Sequence, residues 1–355
     1  MFDPFPIVRP LLQSLDPETA HELTLRALEL HLVPRQPAND DPSLATTLFG
    51  RRIANPIGLA AGFDKNGRVY NRMEAQGFGF AEIGGVTPRP QIGNPRPRVF
   101  RLPEDHAIIN RMGFPNDGAD AVASRLASRH RGALCLGINL AANADSDDPI
   151  ADFVTLVERF APLADYLTLD ISCPNTQNGQ MFLDPACLKE LLARVRDARW
   201  PERRPWLVAK LAPDMQTGTL GQLCTVLAEH PVDAIAVSNT TRERPPLRNA
   251  HANESGGLSG EPLFSPSTKL LGRVRGLTDG TVTLIGVGGV SSATDAYAKI
   301  RLGASAVQLY TGLVYEGTAL VTRIKRDLAA LLRRDGFKSV AEAVGRPEKN
   351  TVWAG

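Results

Sequence analysis

The chain has 355 residues, a formal net charge of +2 and an apolar fraction of 43%, enough to bury a large core. Charge this evenly balanced argues against a nucleic-acid-binding surface. The four cysteines, Cys135, Cys173, Cys187 and Cys224, lie far apart with no CxxC pair, which argues against a zinc site or disulfide framework and fits a reducing cytosol.

The start, Met1-Phe2-Asp3-Pro4, has no basic segment leading into an apolar run, so no signal peptide is expected. No run of about 18 apolar residues occurs, so no membrane-spanning helix is expected. Residues 1–40 read as two short apolar helices. The first covers Phe5 to Leu15 and is cut short by Pro6 and Pro10. The second opens at Asp16-Pro17-Glu18-Thr19, with an N-cap, proline at the first helical position and early acid. Leu23, Ala27 and Leu30 form its apolar face, broadened by Leu25, Leu28 and Leu32. Pro34 and Pro37 then open a polar linker. Two such helices ahead of a complete domain are either a lid packed on it or a face laid on a membrane surface. Periodicity favours the lid and leaves both open.

From residue 53 a pattern repeats: short apolar strand, polar or glycine-rich end, amphipathic helix. Eight strands are expected to end near Ala61, Val86, Leu140, Ile171, Leu211, Val237, Val287 and Tyr310. Helices are expected at 152–163, 188–199, 219–230, 294–301 and 319–333. The alternation implies a parallel sheet. Its unbroken repetition predicts closure into an α/β, (β/α)8 TIM barrel with a short N-terminal helical extension, with a doubly wound open sheet as the alternative. The run Gly286-Val287-Gly288-Gly289 lacks GxGxxG spacing and follows the seventh strand, so it is no dinucleotide fingerprint.

Barrel chemistry sits where strands end. The first strand ends in Gly58-Leu59-Ala60-Ala61-Gly62-Phe63-Asp64-Lys65, where small residues let a planar group approach the backbone. The third carries Asn139, the fifth Lys210 and the sixth Ser238-Asn239-Thr240-Thr241. Lys210 points either outward between barrel and helix, as a snorkelling lysine, or into the mouth. Gly288-Gly289 and Tyr310-Thr311-Gly312 stand where such barrels commonly bind phosphate through backbone N–H groups, although glycine is also ordinary at strand ends. The fourth strand breaks into Leu169-Asp170-Ile171-Ser172-Cys173-Pro174-Asn175-Thr176. A lone thiol is often an inert small hydrophobe. The polar residues around Cys173 favour a reactive one.

These segments resemble dihydroorotate dehydrogenases, in particular the membrane-associated, quinone-reducing class of that flavoprotein family. The resemblance covers nearly the whole chain. Its most specific stretches are Gly58 to Gly67, Ile83 to Arg89, Arg96 to Gly113, Ser238 to Thr241, Gly256 to Pro262, Ile285 to Val290 and Gln308 to Gly312. It implies oxidation of dihydroorotate to orotate in pyrimidine biosynthesis, with a hydride passing to FMN and electrons then to a membrane quinone. It also implies a quinone-tunnel segment at 1–40 ahead of a catalytic barrel at 41–355, and peripheral attachment to the cytoplasmic face of the cell membrane.

Carried over by position, FMN would be held by Ala61, Gly62, Lys65, Gly85, Asn139, Asp170, Lys210, Ser238, Gly260, Gly288, Gly289, Tyr310, Thr311 and Gly312. Substrate would be held by Lys65, Asn110, Arg111, Met112, Gly113, Phe114, Asp170, Asn175, Asn239 and Thr240. Cys173 would be the general base. His21 and Arg101 would be the polar groups at the inner end of the quinone tunnel, with no metal involved. The chemistry agrees. Carboxamides match the alternating donors and acceptors of a dihydropyrimidine ring, and Lys65 can meet its carboxylate.

The resemblance has departures. Its quinone class has serine where this chain has Cys173, and a thiol, with an unperturbed pKa of about 8.5, ionises more readily. Asparagine is usual where this chain has Asp170, and a carboxylate accepts hydrogen bonds but donates none unless protonated. Gly85 replaces a usual threonine, and Ala141-Ala142 replace glycine and lysine. Either Asp170 is protonated or paired with a cation such as Lys210, or the ring bound is a different dihydropyrimidine or cyclic amide. Loss of catalysis with retained flavin binding is the remaining alternative.

Overall fold

A computed structural model describes residues 3–37, 40–129, 134–172, 177–230 and 232–347. Cys173 and Asn175 lie outside them. Eight parallel strands close on themselves: Ile57–Leu59, Phe80–Val86, Cys135–Leu140, Tyr166–Asp170, Trp206–Leu211, Ala234–Val237, Thr283–Val287 and Ala304–Leu309. The last pairs with the first through Val307 and Ile57, which excludes the open sheet. The strands are short and buried on both faces, as parallel strands between a packed interior and an outer ring of helices must be. Their ends fall at or beside the expected residues, the largest offset being Leu59 in place of Ala61.

Two helices begin three residues earlier than expected, at Pro149–Phe160 and Pro185–Arg196. The cause is the same. Asp148 accepts from the Ala151 N–H at 2.9 Å and Asp184 from the Ala186 N–H at 2.8 Å, each followed by proline at the first helical position.

A hairpin of Thr46–Leu48 and Arg51–Ile53, not anticipated from sequence, closes the end of the barrel where strands begin. Its Phe49 stacks on Tyr166 at 4.2 Å between ring centroids and meets Trp206 edge-on. That end is plugged, so any site must lie at the other. A second unanticipated sheet, of Val99–Leu102, Ala107–Asn110 and Gly257–Gly260, stands beside the open end.

The N-terminal helices are α1 (Phe5–Ser14) and α2 (Pro17–Glu29). Proline does not cut α1 short: Pro6 sits in the first turn, where an N–H has no intrahelical partner, and the helix carries Pro10 inside it with the loss of one backbone bond and runs on to Ser14. Asp16 caps α2 by accepting from the Glu18 and Thr19 N–H groups. Polar contacts fasten both helices to the barrel. Arg68 binds Glu22 and Glu29 at 2.8 and 2.7 Å, Arg98 binds Glu18 at 2.8 Å, and Arg9 reaches the Tyr315 carbonyl at 3.3 Å. Ala20, Leu25 and Leu28 are buried, while Ile7, Leu11, Leu23, Leu30 and Leu32 are exposed, Ile7 and Leu11 by 68% and 65%. Among the described residues no helix is long and apolar enough to cross a membrane.

Candidate active site at the barrel mouth

A cavity of about 790 Å³ starts at the strand ends and runs out between α1 and α2. Its inner part is polar and its outer part apolar, lined by Val8, Leu11, Leu23, Ala27, Leu28 and Leu32.

One inner wall carries the ionisable groups. Asp170 and Lys210 end neighbouring strands and are register partners, and Lys210 lines the cavity. Asn239 Nδ2 donates to Asp170 Oδ1 at 3.0 Å, and the Thr240 N–H donates to Asn239 Oδ1 at 2.9 Å. Burial pushes the Asp170 carboxyl above the usual carboxylate range, against the opposing field of Lys210. Asn139 Nδ2 donates to Glu82 Oε1 at 3.0 Å, while Asn139 Oδ1 is buried without a partner among the described residues. A buried acceptor left open at a cavity wall is suited to a ligand donor. Lys65 Nζ donates to the Gly62 carbonyl at 2.6 Å, and burial lowers its ammonium to about 8.

The opposite wall is backbone. Gly288, Gly289, Thr311 and Gly312 line it, and Gly288 and Gly289 have φ of +101° and +72°, where a side chain is strained. A Cβ on Gly289 would come within 2.4 Å of the Phe264 backbone, so the loop is pressed flat on the start of the preceding helix, Phe264–Leu277. Gly260 leaves similar room, its Cβ position lying 2.2 Å from the His106 carbonyl. Gly85 is explained by its neighbour: a Cβ there would meet the Phe114 ring at 2.8 Å.

Where the polar chamber meets the apolar arm stand His21, Phe63 and Tyr310. His21 packs edge-on against Phe63 at 5.3 Å and tilts toward Tyr310 at 6.3 Å. Burial first, then the charge of Lys65, lowers its imidazole to about 3, so it is neutral. Arg101 lines the same region, with its guanidinium donating to the carbonyls of Leu12, at 2.8 Å, and Leu15. It therefore fastens the C-terminal end of α1 to the strand Val99–Leu102.

Ala61, Gly62, Gly85, Asn110, Met112, Gly113, Phe114, Asn139, Ser238, Thr240 and Gly260 also line the cavity, alongside the groups described above. Arg111 does not. Successive residues of an extended segment face opposite ways, so Ile108, Asn110 and Met112 turn to the cavity and Arg111 turns away. It binds Glu254 at 2.8 Å and lies over the Phe100 ring at 4.6 Å. Glu82, missed in the sequence, is buried under the mouth and holds Asn139 and Gln308, the latter at 3.0 Å. A lone acid inside the strand Phe-Ala-Glu-Ile-Gly-Gly-Val was the available signal.

A closed parallel barrel, with a cradle of glycine backbone facing a wall of amides and lysines, defines an α/β-barrel enzyme that binds a cofactor at its mouth. The family model for dihydroorotate dehydrogenase matches residues 43–332. A dihydroorotate dehydrogenase (quinone) of Parvibaculum lavamentivorans is 52% identical over 344 residues, covering 97% of this chain and 98% of that one. The relative of the same name in Rhodospirillum rubrum is 50% identical over 359 residues, covering 100% and 97%. The crystal structure of the Eimeria tenella DHODH in complex with ferulenol matches with a TM-score of 0.89 at 36% identity, covering 93% of this chain and 95% of that one. The chain belongs to the dihydroorotate dehydrogenase family, a flavin-dependent family of oxidoreductases, and its relatives are of the quinone type.

Proposed function

We propose that this chain oxidises dihydroorotate to orotate for pyrimidine synthesis, holding FMN in the barrel mouth and passing electrons to a quinone that enters between α1 and α2. The carrying observation is the single cavity that joins the polar chamber to the apolar arm. Residues 1–40 are the quinone-delivery segment and 41–355 the catalytic barrel.

The residues present fit the flavin. The flat Gly288–Gly289 loop, with Thr311 and Gly312, takes its phosphate, and the open Asn139 Oδ1 accepts from a ring N–H. Ala61, Gly62, Gly85, Ser238, Gly260 and Tyr310, which line the cavity, would complete the enclosure, and Lys210 would offer its ammonium to the ring. FMN, when bound, supplies a two-electron acceptor that can be reoxidised by quinone.

The chain does the rest. Lys65 offers its ammonium to the substrate carboxylate. Asn110, Asn175, Asn239 and Thr240 pair with the ring carbonyls and N–H groups, and Met112, Gly113 and Phe114 bound the pocket. Asp170 orients Asn239 through the bond described above. Cys173 takes the proton from the carbon beside a ring carbonyl, while the second hydrogen leaves with the electron pair, giving the ring double bond of orotate. His21, neutral, and Arg101, tied to α1, hold the junction to the apolar arm. The exposed apolar residues of α1 and α2 rest on the cytoplasmic face of the membrane and draw quinone from it.

The test is twofold. Mass analysis of the released cofactor should give FMN, and the protein with dihydroorotate and a short-chain quinone should form orotate. FAD in the released material, or no orotate from flavin-replete protein, overturns the proposal.

A further inference from the structure

A buried cation stands behind the glycine wall. Lys299, on the helix Ala293–Arg301, is 0% exposed. Its Nζ donates to Ser267 Oγ at 2.7 Å and to Thr268 Oγ1 at 2.9 Å, and both hydroxyl residues are themselves fully buried. The ammonium also lies 5.3 Å from the centroid of the Phe264 ring. Among the described residues no carboxylate pairs with it directly. Asp295, on its own helix, supports the charge only through space, and burial lowers the ammonium to about 7.

The strand below is cut back to admit this side chain: a Cβ on Gly286 would lie 2.9 Å from Lys299 Cδ. A buried ammonium without a counter-charge is costly, and an apolar side chain of similar length would fill the same space without that cost. Packing alone does not account for a lysine here.

Its hydrogen bonds lead to the cavity wall. Ser267 Oγ lies 3.1 Å from the carbonyl of Gly288 and 3.1 Å from that of Phe264, positioned to donate to either. Gly289 packs on the Phe264 backbone, and both glycines face the cavity. The path Lys299–Ser267–Gly288 therefore connects the buried cation to the loop that forms the backbone wall.

We propose that Lys299 is a positioning residue for an anion at the Gly288–Gly289 loop: through Ser267 it fixes the loop, and its charge makes the loop select a phosphate dianion. This rests on the reading of that loop as the phosphate end of the flavin site. The counter-charge that the fold withholds from Lys299 is then supplied by the ligand. Fixed charge in a dry setting acts at longer range than in water, so the ammonium needs no direct contact with the phosphate.

Competition between FMN and riboflavin on the purified holoprotein tests this, because the two differ only in the phosphate. Flavin exchange is followed by fluorescence for the parent, Lys299→Met and Lys299→Gln. The parent should prefer FMN, and both variants should lose that preference by about tenfold or more while holding riboflavin as the parent does. Parental preference in folded lysine variants overturns the role of Lys299. If neither folds, Ser267→Ala decides, since it removes the relay and keeps the lysine; its preference should fall as well, and an unchanged preference overturns the proposal. A parent that holds riboflavin as well as FMN shows instead that the loop is no phosphate site.

Discussion

Asp170 and Lys210 are register partners at the ends of adjacent barrel strands, both more than nine-tenths buried and both at the cavity wall. The carboxyl has a second neighbour, Asn239, which donates to it at 3.0 Å. Burial raises the Asp170 carboxyl and Lys210 opposes the rise, with burial prevailing. The acid is therefore neutral at lower pH and gains a charge as pH increases.

The sign of the pH effect on binding follows. Orotate is an anion, so ionisation of Asp170 repels it, and orotate affinity should decline as pH rises through the range in which Asp170 ionises. Asp170→Asn should flatten that decline and bind orotate more tightly at the upper end, by about tenfold for each ~1.4 kcal/mol of repulsion removed. Titrations followed by flavin absorbance measure both. Weaker binding by the asparagine variant at every pH contradicts this and favours a ring that donates to a carboxylate.

Lys65 adds a second decline in the same direction, at higher pH. Its ammonium is lowered to about 8 by burial, so it carries charge below that pH and loses it above. Orotate affinity should fall further above pH 8 in the parent, whereas Lys65→Met should bind weakly throughout with no such step. The same absorbance titration, extended to pH 9.5, checks it.

The barrel was legible because each strand is an apolar run ending in small or polar residues, and eight such units leave little choice of fold. Helix starts were less so: Asp148-Pro149 and Asp184-Pro185 carry the same cap as Asp16-Pro17, but the starts expected at 152 and 188 followed the later apolar residues and not the cap. The direction of Lys210 was not legible, because a parallel strand buried on both faces has no alternation to show which side is the mouth. Arg111 failed for the converse reason. It directly follows the central strand of the small sheet, Ala107–Asn110, whose alternation was there to be read, but the motif around it suggested that every residue served the pocket. The hairpin at 46–53 and the sheet beside the mouth have strands of three or four residues, too short for a periodic signal.

The exposed face of α1 makes membrane attachment testable without disturbing the barrel. Ile7 and Leu11 are largely exposed, so Ile7→Glu with Leu11→Glu should leave the fold intact. Losing about 1.5–3 kcal/mol of apolar burial per side chain should lower binding to phospholipid vesicles by more than tenfold. Reduction of the flavin by substrate should be unchanged. Equal vesicle binding in a sedimentation assay contradicts the surface role of α1.

Cys173 carries the proposed proton transfer. Cys173→Ala should keep its flavin and slow substrate-driven reduction by roughly 10²–10⁴-fold, the usual worth of a general base. Cys173→Ser should retain partial activity with its pH optimum moved upward, because a hydroxyl ionises less readily than a thiol. Stopped-flow absorbance across pH measures these rates, and parental rates in the alanine variant contradict the assignment.

The central claim is that dihydroorotate reduces a flavin held in this barrel mouth. Anaerobic addition of dihydroorotate to the purified, flavin-replete protein tests it most directly. The account predicts rapid loss of the yellow flavin absorbance with stoichiometric orotate, and recovery of the absorbance when quinone is added. Flavin that stays oxidised under excess dihydroorotate, in protein that still binds FMN, would contradict it.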